Sequence, residues 1–381
     1  MTTNALAHMF TVLKSDLHQA SFDSDAAAST PLAEGHIRLR IHSFALTSNN
    51  ITYAAFGDTM KYWNFFPTAD AARGCIPVWG FADVVESRAE GLNLGERIYG
   101  YLPMATHAVL QPARVSSNGG TSSFVDAAEH RRELHPVYNQ YTRCAADPGY
   151  TEAHEAHIAL LRPLFMTSFL IDDFLADHHF FGAKAVLLSS ASSKTAYGTA
   201  FCLSRRRGTA SEVKVIGLTS SANAAFTRGL GCYDQVITYD EVASLPNDVP
   251  TAYVDMSGSA TVRADVHQHF KDALTHSCAV GGTHWDGLTA KNADAPKHLP
   301  GPRPTLFFAP AQIKKRAIDW GPASLTQRTG ADWTAFMERV TNPAAPWLTV
   351  VSENGAAAVG SVYRDLLSGR TQPQQGHMLS F

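Results

Sequence analysis

The sequence predicts an α/β protein in which a small β-barrel precedes a doubly wound, parallel six-stranded sheet. Short strands with glycine turns fill the first 112 residues, and strands alternate with helices after Gly182. The second of these regions opens with the stretch from Ala185 to Leu203, which reads as strand, polar turn and helix, the unit that opens nucleotide-binding domains. At 381 residues the chain is long enough for two domains.

Composition narrows the function classes. A net charge of −3 with 45% hydrophobic and 17% charged residues is typical of a globular protein and gives no argument for nucleic-acid or membrane partners. No apolar stretch approaches the ~20 residues of a membrane span, and the N-terminus lacks a signal-peptide pattern. The five cysteines are scattered, without a C-x-x-C pair, so we expect a reducing, cytoplasmic setting and no structural zinc.

The barrel strands are predicted from alternating apolar and polar residues bounded by glycines. None of them is followed by a helix, which is why a barrel is expected rather than a parallel sheet. A flexible turn is predicted at 116–123. The predicted barrel strands are His36–Leu46, Pro77–Ser87, Arg97–Leu102 and Ala108–Pro112.

The second domain begins with a predicted helix at Arg162–Phe180, and six strands with interposed helices then predict the doubly wound sheet. We expect a first domain at 1–160, completed by about 323–381, and a dinucleotide-binding domain at 161–322. The predicted strands are Ala185–Leu188, Val213–Leu218, Gln235–Thr238, Ala252–Met256, Cys278–Val280 and Thr305–Phe308; the helices are Thr195–Arg206, Ala222–Leu230 and Ala260–Thr275. The tail carries a predicted helix around Asp332–Val340, a strand at Leu348–Val351 and a helix at Ala356–Leu367.

Four segments occur in the order found in one superfamily. They are a glycine turn and strand at Gly91–Gly100, the segment Leu230–Tyr239, the strand end Val254–Ser259, and Val280–Thr283. With them the chain resembles the medium-chain dehydrogenase/reductase superfamily. The turn SSASSKTA and the segment Val137–Tyr141 are similar to a divergent, quinone-oxidoreductase-like branch.

This resemblance implies a GroES-like domain, a Rossmann domain and a nicotinamide cofactor. Zinc-dependent members of the superfamily carry a cysteine ligand and a Gly-His-Glu motif. Here those places read Thr47-Ser48-Asn49-Asn50 and Trp79-Gly80-Phe81-Ala82, so we expect no metal.

The polar turn after the first strand of the second domain lacks the G-x-G-x-x-G fingerprint, since its first glycine is Gly198, inside the predicted helix. Hydroxyls and helix N–H groups can still donate to a pyrophosphate, and a lysine adds charge. The alternative is a degenerate turn that has lost its ligand. The candidate cofactor residues are Ser190, Ser192, Ser193, Lys194 and Thr195.

The end of the next strand favours NADP over NAD, because hydroxyls and an amide replace the acidic residue that would repel a 2′-phosphate. An ordinary helix cap is the alternative, and the same groups can serve both purposes. The candidates are Thr219, Ser220, Ser221, Asn223 and Arg228. Phe308, at the end of the sixth predicted strand, is placed beside the expected nicotinamide.

A loop that forms the nicotinamide-facing wall in the superfamily supplies the predicted chemistry. Tyr53, Lys61 or Tyr62 would protonate the substrate as hydride arrives, while Asn50 and Trp63 would contact it. The alternative is that these side chains only close a core. Tyr138 and Tyr141 are three residues apart, on one face of a predicted helix, and with Asn139 they would form a lid over the substrate or a plain surface helix.

The leading hypothesis is a zinc-independent, NADP(H)-dependent oxidoreductase that reduces a carbonyl or an activated double bond of an apolar small molecule. The second is a non-redox lyase that cleaves a C–C bond in a retro-aldol reaction, with Lys61 or Tyr62 as acid and base, or Lys61 as a Schiff-base amine. A catalytically silent binding protein is the third. A homodimer formed through the last sheet strand is what the resemblance implies.

Overall fold

A computed structural model describes residues 8–114, 123–280 and 299–381. The chain divides into two compact units, Met1–Leu160 with Thr349–Phe381, and Leu161–Leu348. The chain therefore returns to the first unit at Thr349, later than the return near residue 323 expected from the sequence. The predicted turn at 116–123, except for its last residue, and the segment Gly281–Thr283 lie outside the described residues.

The first unit is built mostly of antiparallel strands whose apolar residues alternate toward a core, as in Ile37, Leu39 and Ile41. A short helix, α1 (Ser48–Ala55), follows the third strand, so part of the predicted loop is helical. The strands are β1 (His8–Leu13), β2 (Asp16–Ser24), β3 (Ile37–Leu46), β4 (Arg73–Gly74), β5 (Pro77–Ser87), β6 (Arg97–Pro103), β7 (His107–Leu110), β8 (Pro112–Ala113), β9 (Ser123–Asp126) and β10 (Gln140–Arg143).

The second unit has the alternation of strands and helices that the sequence predicts. Its strands are β11 (Ala185–Ser189), β12 (Lys214–Thr219), β13 (Gln235–Thr238), β14 (Thr251–Asp255), β15 (Leu274–Ala279) and β16 (Thr305–Leu306). Its helices are α2 (Glu155–Asp177), which begins in the first unit, α3 (Lys194–Ser204), α4 (Ser221–Gly229), α5 (Ala260–Phe270), α6 (Ala309–Asp319) and α7 (Pro322–Val340).

Among the described residues, six strands form one parallel sheet in the order β13-β12-β11-β14-β15-β16. The strand order reverses at β11, so the carboxyl ends of β11 and β14 adjoin at the point where open α/β sheets bind ligands. All five residues of β11 are buried, as its continuous apolar run requires.

Helix α7 explains the late return to the first unit. Its apolar face carries Trp333, Phe336 and Val340, all buried. Phe336 stacks on Phe165 of α2 with ring centroids 4.5 Å apart and meets Phe201 of α3 at 5.3 Å. The helix thus packs into the core of the second unit. Its sequence shows an apolar face but does not show which unit that face packs against.

The tail adds β17 (Thr349–Asn354), α8 (Ala356–Leu367) and β18 (Gln375–Ser380). Strand β18 pairs antiparallel with β3, which completes a mixed sheet in the order β17-β18-β3-β5-β6-β10-β9-β8. Strand β7 pairs with β3, and β2, β1 and β4 form a smaller antiparallel sheet. Among the described helices, none is long and apolar enough to cross a membrane.

The predicted helix carrying Tyr138 and Tyr141 is wrong. A 3-10 turn at Pro136–Tyr138 ends before β10 begins, so the two tyrosines lie on different elements. Tyr141 instead stacks on Phe124 of the neighbouring β9, with ring centroids 5.4 Å apart. The pairing of Tyr141 with Phe124 across the two strands favours a strand here. The three-residue spacing of the two tyrosines gives no sign of it.

Candidate functional site

Four tyrosines of the first unit pack against one another, and three of them contact Trp79. Tyr53 lies on α1, Tyr62 on a 3-10 turn after it, Tyr101 on β6, and Tyr138 on the 3-10 turn before β10. Ring centroids are 4.7 Å apart for Tyr53 and Tyr62 and also for Tyr101 and Tyr138. We refer to these four tyrosines with Trp79 as the tyrosine cluster.

The hydroxyl groups of the tyrosine cluster bond to one another and to the indole. The Tyr62 and Tyr138 hydroxyl oxygens are 3.2 Å apart, and Trp79 Nε1 donates to Tyr53 Oη at 3.3 Å. Tyr101 is fully buried, and its hydroxyl has no hydrogen-bond partner within the described part of the chain. A buried unsatisfied hydroxyl is costly, so it marks a place where a ligand oxygen would be stabilised.

Burial keeps these phenols protonated. Desolvation raises the pKa of Tyr53 and Tyr62, and it raises the pKa of Tyr101 and Tyr138 well above the ordinary value of a phenol. The electrostatic repulsion between neighbouring hydroxyls adds to the increase for Tyr53, Tyr101 and Tyr138. At neutral pH the cluster therefore presents neutral O–H donors, which can stabilise a carbonyl oxygen and deliver a proton.

Two of the predicted substrate residues lie behind the cluster. Tyr141 is fully buried and donates to the Tyr101 carbonyl oxygen at 2.6 Å, while it accepts from Arg131 Nη1 at 2.8 Å. Asn139 Nδ2 donates to the Arg131 carbonyl oxygen at 3.1 Å. These contacts hold the segment that carries Tyr138, so Tyr141 and Asn139 support the cluster from outside it. Gly100 makes the packing possible, because a Cβ there would lie 2.3 Å from the Tyr141 ring.

Asn50 and Trp63, two other predicted substrate residues, have structural contacts outside the tyrosine cluster. Asn50 caps α1: its Oδ1 accepts from Thr47 N at 2.8 Å and its Nδ2 donates to the Pro77 carbonyl oxygen at 2.9 Å. The Trp63 ring fills a buried space against Gly57 and Gly74.

Lys61 does not belong to the buried cluster. Its side chain is 56% exposed, and Nζ lies 3.9 Å from Glu133 Oε2. A Schiff-base lysine is activated by desolvation or by a neighbouring cation, and this lysine has a neighbouring carboxylate instead. The lyase hypothesis built on Lys61 therefore finds no support in its position.

In the second unit, the polar turn from Ser190 to Lys194, here named the serine turn, joins β11 to α3. Ser190 adopts a left-handed backbone with φ of 51°, a conformation that glycine usually supplies. The turn is closed by Ser193 N donating to Ser190 O at 2.8 Å, and Ala191 N donates to Leu218 O of the adjacent strand at 3.1 Å. A serine thus makes the tight turn that the missing glycine makes in the fingerprint.

Helix α3 begins at Lys194, the last residue of the serine turn. Ser193 is its N-cap, with Oγ accepting from Ala196 N at 3.4 Å. Lys194 and Thr195 follow in the first turn, and burial lowers the pKa of Lys194 to about 8. A desolvated amine beside a helix N-terminus is suited to an anion, because both the charge and the free N–H groups favour one.

Of the candidate residues on β12 and α4, Thr219 and Asn223 contact the serine turn. Asn223 Nδ2 donates to Ser192 Oγ at 3.2 Å, and Thr219 Oγ1 lies 3.5 Å from the same oxygen. Ser220 is the N-cap of α4, and Ser221 is its exposed first residue. Arg228 lies in the last turn of α4, away from the N-terminus that carries Ser220.

Several residues of this edge were not predicted. Ser189 Oγ donates to Asp255 Oδ1 at 3.0 Å and accepts from Met256 N at 3.0 Å, which ties β11 to β14. Asp255 is buried and is also paired with Arg263 at 2.7 Å. Tyr239, after β13, hydrogen-bonds Ser190. Both Asp255 and Tyr239 stand in segments already quoted for the superfamily resemblance, which was the available signal.

Gly198 and Phe308 are the remaining positions singled out from the sequence of the second unit. Gly198 lets α3 approach α2, since a Cβ there would lie 2.5 Å from Ser168 Oγ, which donates to the Thr195 carbonyl oxygen at 2.8 Å. Strand β16 ends at Leu306, so Phe308 does not belong to the strand as predicted. It is 43% exposed and directly precedes α6. Among the residues that the structure describes, no group of three or more His, Cys, Asp or Glu side chains could hold a metal ion.

The profile of one protein family matches this chain over residues 44–372; it is DUF2855, a protein of unknown function. The chain belongs to this family. Among the curated proteins, nothing matches the DUF2855 chain.

Solved structures resemble the DUF2855 chain along its whole length. CurA from Vibrio vulnificus, in complex with NADPH, is 13% identical with a TM-score of 0.58, and 98% of each chain is covered. The yhdH oxidoreductase from Salmonella enterica, in complex with NADP, is 11% identical with a TM-score of 0.51, covering 99% of this chain and 100% of that one. The quinone oxidoreductase from Coxiella burnetii is 14% identical with a TM-score of 0.51 and 98% coverage of both chains.

At these identities the likeness establishes the fold. It is the fold of the medium-chain dehydrogenase/reductase superfamily, with a GroES-like mixed sheet and a Rossmann sheet of six described parallel strands. The fold predicted from the sequence is confirmed.

Proposed function

We propose that the protein is an NADP(H)-dependent reductase of the medium-chain type. The observation that carries the proposal is the serine turn. Ser190 makes the left-handed turn, Ser193 caps α3, and Lys194 adds a cation at the helix N-terminus. The pyrophosphate of a dinucleotide fits this donor set. Structures of the same fold from Vibrio vulnificus and Salmonella enterica contain NADPH and NADP, which supports the same cofactor here.

The choice of NADP(H) rests on the end of β12. Thr219 is followed by Ser220 and Ser221, so no carboxylate stands where it would repel a 2′-phosphate. Ser192 and Asn223 are already hydrogen-bonded to each other at this edge, which holds their polar atoms in place. We expect NADPH to bind more tightly than NADH.

The tyrosine cluster is the proposed acid. When bound, the reduced cofactor supplies a hydride to the substrate. Tyr62 and Tyr138 share a hydrogen bond and are kept neutral by burial, so one hydroxyl can donate its proton while the other stabilises the phenolate that remains. Tyr101 adds a buried O–H without a protein partner among the described residues.

The substrate of this reductase is proposed to be an apolar carbonyl compound or an activated alkene. The cluster consists of aromatic rings and neutral hydroxyls, which suit an uncharged, apolar molecule. We propose that zinc is not used. Asn50 lies near the place of the superfamily's zinc ligand, and its side chain is engaged in a hydrogen bond to Thr47 that caps α1 and in another to Pro77.

A substrate screen tests this function. NADPH oxidation is followed at 340 nm with a panel of quinones, enones and aldehydes, and with NADPH carrying deuterium at C4. The proposal predicts NADPH consumption with at least one substrate and transfer of deuterium to product. Absence of NADPH binding would overturn the proposal, and product formation without NADPH turnover would replace it with a non-redox reaction.

The proposed assembly is a homodimer formed through the edge strand β16. Leu306 on this strand is 70% exposed, and Ile318 of the following helix is 74% exposed. Light scattering after size exclusion should give twice the mass of the 41.2 kDa chain. Leu306→Lys should yield monomer, whereas a wild-type monomer would contradict this assembly.

A further inference from the structure

A cavity of about 400 Å³ opens in the first unit, on walls that the proposed reaction does not use. Its size falls within the ~300–1,000 Å³ of typical ligand pockets. Much of the wall is apolar, formed by Met9, Pro31, Phe66, Pro67 and Val109. These side chains come from β1, β7 and the segments between strands, and they offer a surface on which an aromatic ring can pack.

Three histidines line the same cavity, and each has one ring nitrogen engaged. His36 Nδ1 bonds the Glu34 carbonyl oxygen at 2.9 Å, and His107 Nδ1 bonds Thr106 Oγ1 at 3.0 Å. His130 Nε2 bonds the Phe65 carbonyl oxygen at 3.3 Å. Within the described part of the chain, the second ring nitrogen of each histidine makes no hydrogen bond. This nitrogen is an acceptor in the neutral ring and an N–H donor in the imidazolium form.

Arg131 supplies the charge of this cavity. It is 1% exposed, and Nε lies 3.1 Å from Asp126 Oδ2 and donates to the Phe65 carbonyl oxygen at 3.3 Å. Nη1 donates to Tyr141, whereas Nη2 makes no hydrogen bond to any described residue. The other carboxylate oxygen, Asp126 Oδ1, accepts from the backbone N–H groups of Gln111 and Ala128. The carboxylate is thus saturated by protein donors, while the guanidinium keeps a donor edge.

We propose that this cavity, the histidine pocket, binds an aromatic carboxylic acid. The ligand carboxylate accepts from Arg131 Nη2, and from the second N–H of a pocket histidine that is in its imidazolium form. Its ring packs against Phe66, which already lies 4.5 Å from the Arg131 guanidinium, and against Val109. One hydrogen bond to a charged group changes affinity about tenfold or more, enough to separate an acid from its amide. The site uses no residue of the tyrosine cluster or the serine turn, so it does not depend on the proposed reductase activity.

The test uses 2-naphthoate as the probe and 2-naphthamide as its uncharged counterpart, titrated calorimetrically into the full chain with and without NADPH. We expect naphthoate to bind about tenfold more tightly than the amide, as one charge-assisted hydrogen bond implies. Val109→Trp should fill the pocket and weaken binding about tenfold or more. Val85→Trp is the matched control, since both valines lie on strands of the first unit with 37% and 39% exposure.

His130→Ala, which changes an exposed turn residue, should weaken naphthoate binding without moving the melting temperature. Equal affinities in the two tryptophan variants would overturn the proposal, as would equal affinities for acid and amide or no binding at millimolar probe. Displacement of naphthoate by NADPH, or loss of binding in Tyr138→Phe alone, would place the probe elsewhere and also overturn it. An unchanged melting temperature in Val109→Trp confirms that this variant is folded.

Discussion

Replacing Ser190 tests whether a serine performs a glycine's task in the serine turn. Ser190 has φ of 51°, where a side chain with a Cβ costs about 1–2 kcal/mol. Ser190→Gly and Ser190→Ala both remove the hydroxyl, so the difference between them isolates the backbone. Glycine gives back about 0.4–1 kcal/mol through the greater entropy of the unfolded chain. Ser190→Gly should therefore be more stable than Ser190→Ala by about 1 kcal/mol.

The assay is differential scanning calorimetry, in which about 1 kcal/mol corresponds to about 2–4 °C for a unit of this size. Ser361 is the control, because it is exposed in the interior of α8. There the order should reverse, with the alanine variant more stable than the glycine variant by about 1 kcal/mol. If Ser190→Ala melts at or above Ser190→Gly, the left-handed turn is not strained and the reasoning fails.

Three further predictions concern Gly198 in α3, the tyrosine cluster and Lys194 of the serine turn. Gly198→Ala should cost about 1–3 kcal/mol, measured by calorimetry, because its Cβ would lie 2.5 Å from Ser168 Oγ; adding Ser168→Ala should recover part of the loss. Tyr138→Phe and Tyr62→Phe should each lower NADPH-dependent turnover about 100-fold while NADPH affinity stays constant; an effect on affinity alone would contradict the acid role. The depressed pKa of Lys194, about 8 against 10.5, means that the unfolded chain binds this proton more tightly. Unliganded protein should thus gain stability as pH rises from about 8 towards 10, while NADPH affinity falls over the same range, and Lys194→Met should abolish both trends.

The sequence was sufficient for the elements whose signals are local. The strand at Ala185–Leu188 and the helix start at Thr195 were predicted from apolar runs and periodicity, and the structure places both within a residue of prediction. Strand β10 was missed because its stability comes from pairing with β6 and β9, and the spacing of Tyr138 and Tyr141 imitates a helix. The two-residue strands β4 and β8 carry too few residues for any period to show.

The sequence indicated which residues carry suitable chemistry, but it did not indicate which of them are in contact. Tyr53, Tyr62 and Tyr138 were selected as separate candidates, but no spacing along the chain indicates that Tyr101 of β6 joins them. Lys61 was selected for its chemistry, and a left-handed turn with φ of 59° leaves it exposed beside Glu133. The turn residues Ser190 to Lys194 were found because a nucleotide turn is contiguous in sequence, whereas a pocket wall is assembled from distant strands.

The strength of NADPH binding tests the central claim most directly. Calorimetric titration of the wild-type chain with NADPH and NADH, beside Lys194→Met, measures the cofactor site without needing a substrate. The account predicts one NADPH per chain, weaker binding of NADH, and an affinity for NADPH that drops about tenfold or more in Lys194→Met. An absence of binding by either nucleotide, or an NADPH affinity that Lys194→Met leaves unchanged, would contradict it.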